Sequence, residues 1–285
     1  MPELPEVETV RRGLAPVLEG AMLARVEARR PDLRFPLPER MAERLTGARV
    51  TALRRRAKYL LIDLDRNETL ISHLGMSGRW IVSGRAGQPG DFYFEGPHLP
   101  AHDHVILETA AGDLLTYNDP RRFGFLDLAA TDALEETSHF KGMGPEPLGN
   151  AFAGDHLAAA FAGKSQNVKA KLLDQRIVAG LGNIYVCEAL WRAGISPKRA
   201  AGRIAPGRLG VLAQAIREVL GEAILAGGST LRDFAAVDGA AGGFQQRFAV
   251  YDQAGGGCQR PGCGGVIRRA VQSGRSTFYC AVCQR

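Results

Sequence analysis

The sequence predicts an α+β, multidomain chain, with a sheet-rich N-terminal part behind one helix, a helical middle and a small cysteine-pinned hairpin at the end. Three observations carry this. Short strand-like runs, split by glycine, proline and charged turns, fill residues 1–130. Alanine and leucine dominate after that point, at helical spacing. Four of the 5 cysteines crowd the C-terminal end. With 285 residues and 45% hydrophobic content, two or three domains can each bury a core.

The first element is a helix over 5–18. Val7, Val10, Leu14 and Val17 recur at spacings of three and four, Glu8 stands four before Arg12, and Pro5 suits a first turn. YLLIDL, TLISHL, DHVILET and DLLTY follow as strands, which points to a β-sandwich without settling its strand number. GRAGQPGDFYFEGPHLP reads as a loop with an aromatic middle. Helices are predicted at 155–162, 167–175, 183–193 and 207–226, and the run AAVDGAAGG at 235–243 reads as a linker or loop. The boundaries follow: 1–130, 131–243 and 244–285.

Lysine and arginine outnumber aspartate and glutamate by 36 to 30, and a pI near 9.2 favours polyanionic partners without requiring them. MPELPEVETV is not a secretory signal, and no apolar run reaches the roughly 20 residues a bilayer needs. A cytoplasmic protein is expected, whose cysteines are metal ligands rather than disulfides.

Cys258, Cys263, Cys280 and Cys283 form C-x4-C, sixteen residues, then C-x2-C. Two close pairs joined by a hairpin-length span can surround one structural Zn²⁺ tetrahedrally, leaving no open position for catalysis. Gly262 and Gly264 permit the turn at Cys263, and Gly274 permits the hairpin bend. Arg268, Arg269 and Arg275 lie between the pairs, and guanidinium forks suit phosphate oxygens. Cys187 shares an apolar helix face with Ile184 and Trp191 and reads as a packed thiol.

In IVAGLGNIY, Gly180 and Gly182 precede a helix starting near Asn183. Free amides at a helix start cradle phosphate, and Asn183 either caps the helix or donates to the phosphate itself. Lys169 and Lys171 add charge upstream, although a plain helix hairpin has the same signature.

Pro2 follows an initiator methionine, whose removal leaves a secondary amine. Its attack on an aldehyde-level sugar carbon yields an iminium ion, an electron sink that weakens the bond to a base and acidifies the neighbouring C–H bonds. An α-amine near pKa 8 keeps a neutral fraction at neutral pH. Of Glu3 and Glu6, one carboxylate can shuttle protons while the other anchors the chain end; both also suit a helix start. Lys58 shares a strand face with Leu60, Ile62 and Leu64, and either reaches into a cleft or snorkels to solvent.

Several blocks in one order resemble the bacterial formamidopyrimidine-DNA glycosylase (8-oxoguanine DNA glycosylase/AP lyase) family over nearly the whole chain. They are PELPEVET at 2–9, KYLL at 58–61, HLGMSG at 73–78, NDPRRFG at 118–124, GPEPL at 144–148, GLGNIY at 180–185, GGST at 227–230 and RSTFYC at 275–280. The resemblance implies an N-terminal β-sandwich, a helix-two-turns-helix domain and a zinc hairpin, with DNA in the cleft between the halves. It implies a monomer on bacterial chromosomal DNA, acting on duplexes that contain an oxidised purine or an abasic site, with no membrane partner. Pro2 would be the Schiff-base nucleophile, Glu3 the general acid/base, Glu6 a supporting acid and Lys58 a cation on phosphate. Asn183 and Arg275 would hold the phosphates flanking the lesion, with Lys169 among the DNA-binding residues. Met76, Arg121 and Phe123 would fill the gap left by an everted nucleotide, and residues 228–245, with Ser229 and Thr230, would form a loop over the lesion. Base release, β-elimination and δ-elimination would follow in turn. The alternatives are an endonuclease VIII-like glycosylase for oxidised pyrimidines and a non-catalytic zinc protein that binds DNA.

Overall fold

A computed structural model describes residues 2–83, 99–230 and 242–285, so Met1, most of the aromatic loop and most of the 235–243 stretch lie outside the described residues. The chain divides into two compact units, residues 1–141 with 226–243, and 142–225 with 244–285. The cysteine ribbon falls in the same unit as the helices.

The first unit starts with α1 (Leu4–Leu18), whose Val7, Val10, Leu14 and Leu18 form a buried stripe with Val17 packed at its side, and a short α2 (Met41–Leu45) adds Met41 and Leu45 to the same core. Behind it stand two four-stranded antiparallel sheets. One has the order β1 (Leu23–Ala28), β6 (Asp103–Thr109), β7 (Leu114–Asn118), β5 (Arg79–Ser83). The other runs β2 (Val50–Arg56), β3 (Tyr59–Leu64), β4 (Glu68–His73), β8 (Phe125–Ala130). One apolar core takes Leu23, Val26, Val105 and Leu115 from the first sheet and Val50, Leu60, Ile62 and Leu70 from the second. Trp80 joins the layers, its indole donating to Ser72 Oγ at 3.1 Å. The sandwich expected of a sheet-rich part of this length is therefore present.

The four predicted strands are β3, β4, β6 and β7, whereas β1, β2, β5 and β8 were not predicted. Two omissions have a common cause. A register shift falls between Leu23 and Arg25 in β1 and between Val50 and Ala52 in β2. An extra residue at such a point places the buried pairs Leu23/Val26 and Val50/Leu53 three apart, which mimics helical spacing. The arginines of β2 further disguise it: Arg54 donates to Asp63 Oδ1 at 2.8 Å, and Arg55 pairs with Glu8 at 3.3 Å.

The second unit packs α3 (Gly154–Phe161) and α5 (Asn183–Arg192) against α6 (Pro206–Leu225), with α4 (Val168–Leu172) beside α5. Three predicted helices hold to within a residue at each end. The predicted helix over 167–175 keeps its start, capped by Asn167 Oδ1 accepting from Ala170 N–H at 2.9 Å, but ends early. Beyond it Asp174 accepts from Arg176 N–H at 3.1 Å, and a carboxylate that bonds the backbone locally favours a turn. Buried Glu188 accepts the N–H groups of Ala249, Val250 and Tyr251 at 2.7 to 3.0 Å, stapling α5 to the chain that enters the ribbon. That ribbon is β9 (Ile267–Gln272) paired antiparallel with β10 (Arg275–Cys280). Its turn residues Ser273 and Gly274 have φ of 49° and 73°, the left-handed pair of a tight hairpin. No described helix is long and apolar enough to cross a membrane.

Candidate functional site

The first cluster surrounds the start of α1. Pro2, Glu3 and Glu6 are all buried, with Glu3 at the N-cap position. Glu6 Oε2 accepts from Glu3 N–H at 2.8 Å, while Oε1 accepts from Ser229 N–H at 2.8 Å and Ser229 Oγ at 3.0 Å. Glu6 thus bonds the chain start, as an anchoring carboxylate would. Two hydrogen bonds from Ser229 tie the chain start to a segment more than two hundred residues away. Gly228, at φ +78°, allows this approach, since a Cβ there would lie 2.9 Å from Glu6 Oε1. Thr230 Oγ1 accepts from Gly242 N–H at 2.9 Å. Ser229 and Thr230 thus hold the base of the segment whose residues 231–241 lie outside the described residues.

Lys58 follows Ala57, which has φ of 53°, and immediately precedes β3. Its side chain is 7% exposed, so the solvent-snorkelling alternative does not hold. Its charge reaches His73: burial first, then Lys58, Arg34 and His139, lowers the His73 pKa to about 4. The neutral ring stacks on Phe125 at 5.2 Å, and its Nδ1 accepts from Gly75 N–H at 3.1 Å. A ring kept uncharged at neutral pH can serve as that acceptor.

Two loops in this unit present the second cluster. Met76 and Phe123 are 38% and 43% exposed, unusual for such side chains, and the Arg121 guanidinium lies 4.7 Å from the Phe123 ring centroid. Composition alone would assign Met76 and Phe123 to a core, and they do not pack in one. The loops touch through backbone: a Cβ on Gly75, at φ +59°, would lie 2.3 Å from Gly124 N and Phe123 C.

The third cluster belongs to the second unit. Asn183 opens α5 after N-cap Gly182, and its Nδ2 donates to Ser276 O at 3.0 Å. Asn183 Oδ1 is buried with no hydrogen-bond partner among the described residues. The preceding turn is organised by Gln175, which accepts from Gly180 N–H at 2.8 Å and donates to Leu181 O at 3.0 Å. Lys169 differs from an open phosphate cation. It is 1% exposed, and its ammonium donates to Ser276 O at 2.9 Å and Thr277 Oγ1 at 2.7 Å. Lys169 and Asn183 therefore share Ser276 O, which fixes the hairpin beside the start of α5. Neighbouring Arg275 is exposed, as are Arg268 and Arg269.

The four cysteines meet at the foot of this hairpin, with their sulfurs within 4.8 Å of one another. Cys258 and Cys283 are 3.7 Å apart, and Cys263 and Cys280 are 3.6 Å apart. Zinc–sulfur bonds of about 2.3 Å make a tetrahedron with edges of about 3.8 Å, so the donor set fits Zn²⁺. Gly262 and Gly264 have φ of 73° and 61°, as the turn at Cys263 requires. Trp191 of α5 donates its indole N–H to Cys258 Sγ at 3.4 Å, an outer hydrogen bond of the kind that orients a ligand. Cys187 is 1% exposed in α5, in agreement with a packed thiol.

Sequence reasoning missed Gln175, Trp191 and Asp119. Asp119 is fully buried and bonds both exposed loops. The only signal for it was its place inside the block NDPRRFG.

Family models described as "Formamidopyrimidine-DNA glycosylase N-terminal domain" and "Formamidopyrimidine-DNA glycosylase H2TH domain" match residues 1–126 and 143–235. The formamidopyrimidine-DNA glycosylase of Caulobacter sp. (strain K31) is 60% identical over 286 residues, covering 100% of both chains. Among solved structures, a Lactococcus lactis Fpg variant complexed with Fapy-dG-containing DNA superposes with a TM-score of 0.87 at 35% identity, covering 100% of each chain. The complex of Lactococcus lactis Fpg with DNA containing an abasic site gives 0.87 at 34% identity, again covering 100% of each chain.

Proposed function

This chain belongs to the formamidopyrimidine-DNA glycosylase family, and on that premise we propose that it is a bifunctional glycosylase and AP lyase that removes oxidised purines from duplex DNA. The observation that carries the reading is the buried start of α1, where Glu6 clamps the chain end beside Glu3. A terminal amine acting as nucleophile must be held, and this terminus is held through hydrogen bonds to Glu6.

With Met1 removed, the Pro2 nitrogen uses its lone pair to attack C1′ of an everted nucleotide, because C1′ is out of reach inside an intact stack. The bond to the base breaks and the base leaves with the electron pair. Glu3 is the carboxyl that passes protons among amine, base and sugar. Loss of the amine proton leaves an aminal at C1′; its C1′–O4′ bond then breaks, with a proton delivered to O4′, and the ring-opened iminium draws electrons from C2′, so that loss of a C2′ proton expels the 3′ phosphate. A second elimination expels the 5′ phosphate. Glu6 holds the terminus in place. Lys58, a buried ammonium at the turn into β3, meets a phosphate.

In the second unit, Asn183 and Arg275 bind the phosphates flanking the lesion. Lys169 acts on them by fixing Ser276. Helix-start amides and an exposed guanidinium are suited to that task. Zn²⁺ on the four cysteines supplies folding energy to the ribbon. Met76, Arg121 and Phe123 enter the duplex opposite the vacated position: Phe123 between bases, Arg121 on the orphaned base. Ser229 and Thr230 anchor a loop over the lesion. The protein works as a monomer in the cytoplasm, on chromosomal DNA.

A duplex with one 8-oxoguanine opposite cytosine, labelled in turn at each end, tests the reading. Both fragments are expected to carry phosphate at the gap. An uncut abasic strand, or faster processing of a matched oxidised-pyrimidine duplex, contradicts it.

A further inference from the structure

Buried carboxylates need partners, and those of Asp119 are informative. Its side chain is 0% exposed. Oδ1 accepts from Ser77 Oγ at 2.6 Å and from Arg121 N–H at 3.3 Å, and Oδ2 accepts from Gly124 N–H at 2.8 Å. Ser77 follows Met76 directly, and Arg121 and Gly124 bracket Phe123. The backbone of Asp119 is held as well: its carbonyl meets His104 Nε2 at 2.9 Å, and its N–H donates to His102 O at 3.1 Å.

Tyr117 supports the same junction from below. Its hydroxyl donates to His73 O at 3.1 Å, and a Cβ on Gly78 or Gly124 would lie 2.4 or 1.9 Å from that oxygen. Burial, with the Asp119 charge next, raises the Tyr117 pKa well above its ordinary value, so the phenol remains a donor. The left-handed backbone of Arg122, φ 55°, turns the second loop out of the sheet beside it.

We propose that Asp119 is the positioning residue that locks the Met76 loop and the Arg121–Phe123 loop into one preorganised wedge. A carboxylate accepting from both loops fixes their separation before DNA arrives, so filling the gap does not require either loop to order first. Ser77 is its relay to the Met76 side. This rests on the reading that Met76, Arg121 and Phe123 occupy the gap left by an everted nucleotide.

The wedge is needed only where a stack must be opened, so duplex and single-stranded substrates separate positioning from chemistry. Full-length Asp119→Asn and Ser77→Ala are compared with the parent in three measurements. These are thermal melting, excision of 8-oxoguanine from a paired duplex, and cleavage of a single-stranded abasic oligonucleotide. A 2-aminopurine beside the lesion reports unstacking. Asn keeps the shape of Asp but turns an N–H₂ toward one of the donors, and Ser77→Ala removes only the relay. Duplex kcat/KM is expected to fall roughly tenfold to a hundredfold for Asp119→Asn, the scale of a small misplacement, and less for Ser77→Ala. The 2-aminopurine signal falls with it, while single-strand cleavage holds at the parent's rate. Normal duplex excision with a full fluorescence change, or equal losses on both substrates, overturns the proposal. If Asp119→Asn does not fold, Ser77→Ala decides alone by the same criteria. A parent that fails to cut the single strand sinks the functional reading instead.

Discussion

Glu3→Gln is expected to bind a lesion-containing duplex about as tightly as the parent and to lose base excision by roughly a hundredfold to ten-thousandfold, the range spanned by general acid–base catalysis. Glu3 is 3% exposed at the start of α1, and glutamine has its shape. The backbone N–H of residue 3 still reaches Glu6, and Glu6 still holds Ser229, so the clamp on the chain end survives the change. What disappears is the carboxyl group that would pass the proton. Single-turnover excision beside equilibrium binding measures both parts. Near-parental excision by Glu3→Gln removes Glu3 from the assigned role.

Removal of zinc is expected to unfold the ribbon and abolish DNA binding. A structural zinc site contributes on the order of 10–16 kcal/mol, comparable to the roughly 5–15 kcal/mol that stabilises a whole domain. A two-stranded hairpin has too little core to fold without such help. The damage would travel inward, because Ser276 O and Thr277 Oγ1 are acceptors for the buried Lys169 ammonium, and Ser276 O also takes Asn183 Nδ2. Losing them strands a buried charge and frees the side chain at the head of α5. Trp191, whose indole N–H meets Cys258 Sγ, supplies a fluorescence signal for the event. One zinc per chain is expected by elemental analysis. Chelation should change that fluorescence as duplex affinity is lost; metal-free protein that binds duplex normally contradicts the account.

Legibility in the sequence followed physical regularity. Val7, Val10 and Leu14 announced α1, because one buried face of a helix repeats at three and four. The β3 and β6 strands were visible as short apolar runs. The β1 and β2 strands were not, because their irregular registers set buried residues three apart. Cysteine spacing revealed the metal cluster, since ligand geometry constrains the chain locally. Long-range polar contacts leave no such trace. Nothing near Glu6 says that its partner is Ser229, and nothing near Lys169 says that its ammonium ends on Ser276 and Thr277 rather than on DNA. Met76 and Phe123 illustrate the other limit: apolar residues whose exposure is invisible to composition, and which only matching sequence blocks set apart.

If the amine of Pro2 is the nucleophile, borohydride captures it covalently on abasic DNA. The protein is first weighed intact to establish that Met1 is absent, then reduced in the presence of the DNA, digested and mapped. One covalent adduct is expected, on the N-terminal peptide at Pro2, and none when an added residue precedes Pro2 and makes its nitrogen an amide. An adduct on a lysine, or none from protein that begins at Pro2, would contradict it.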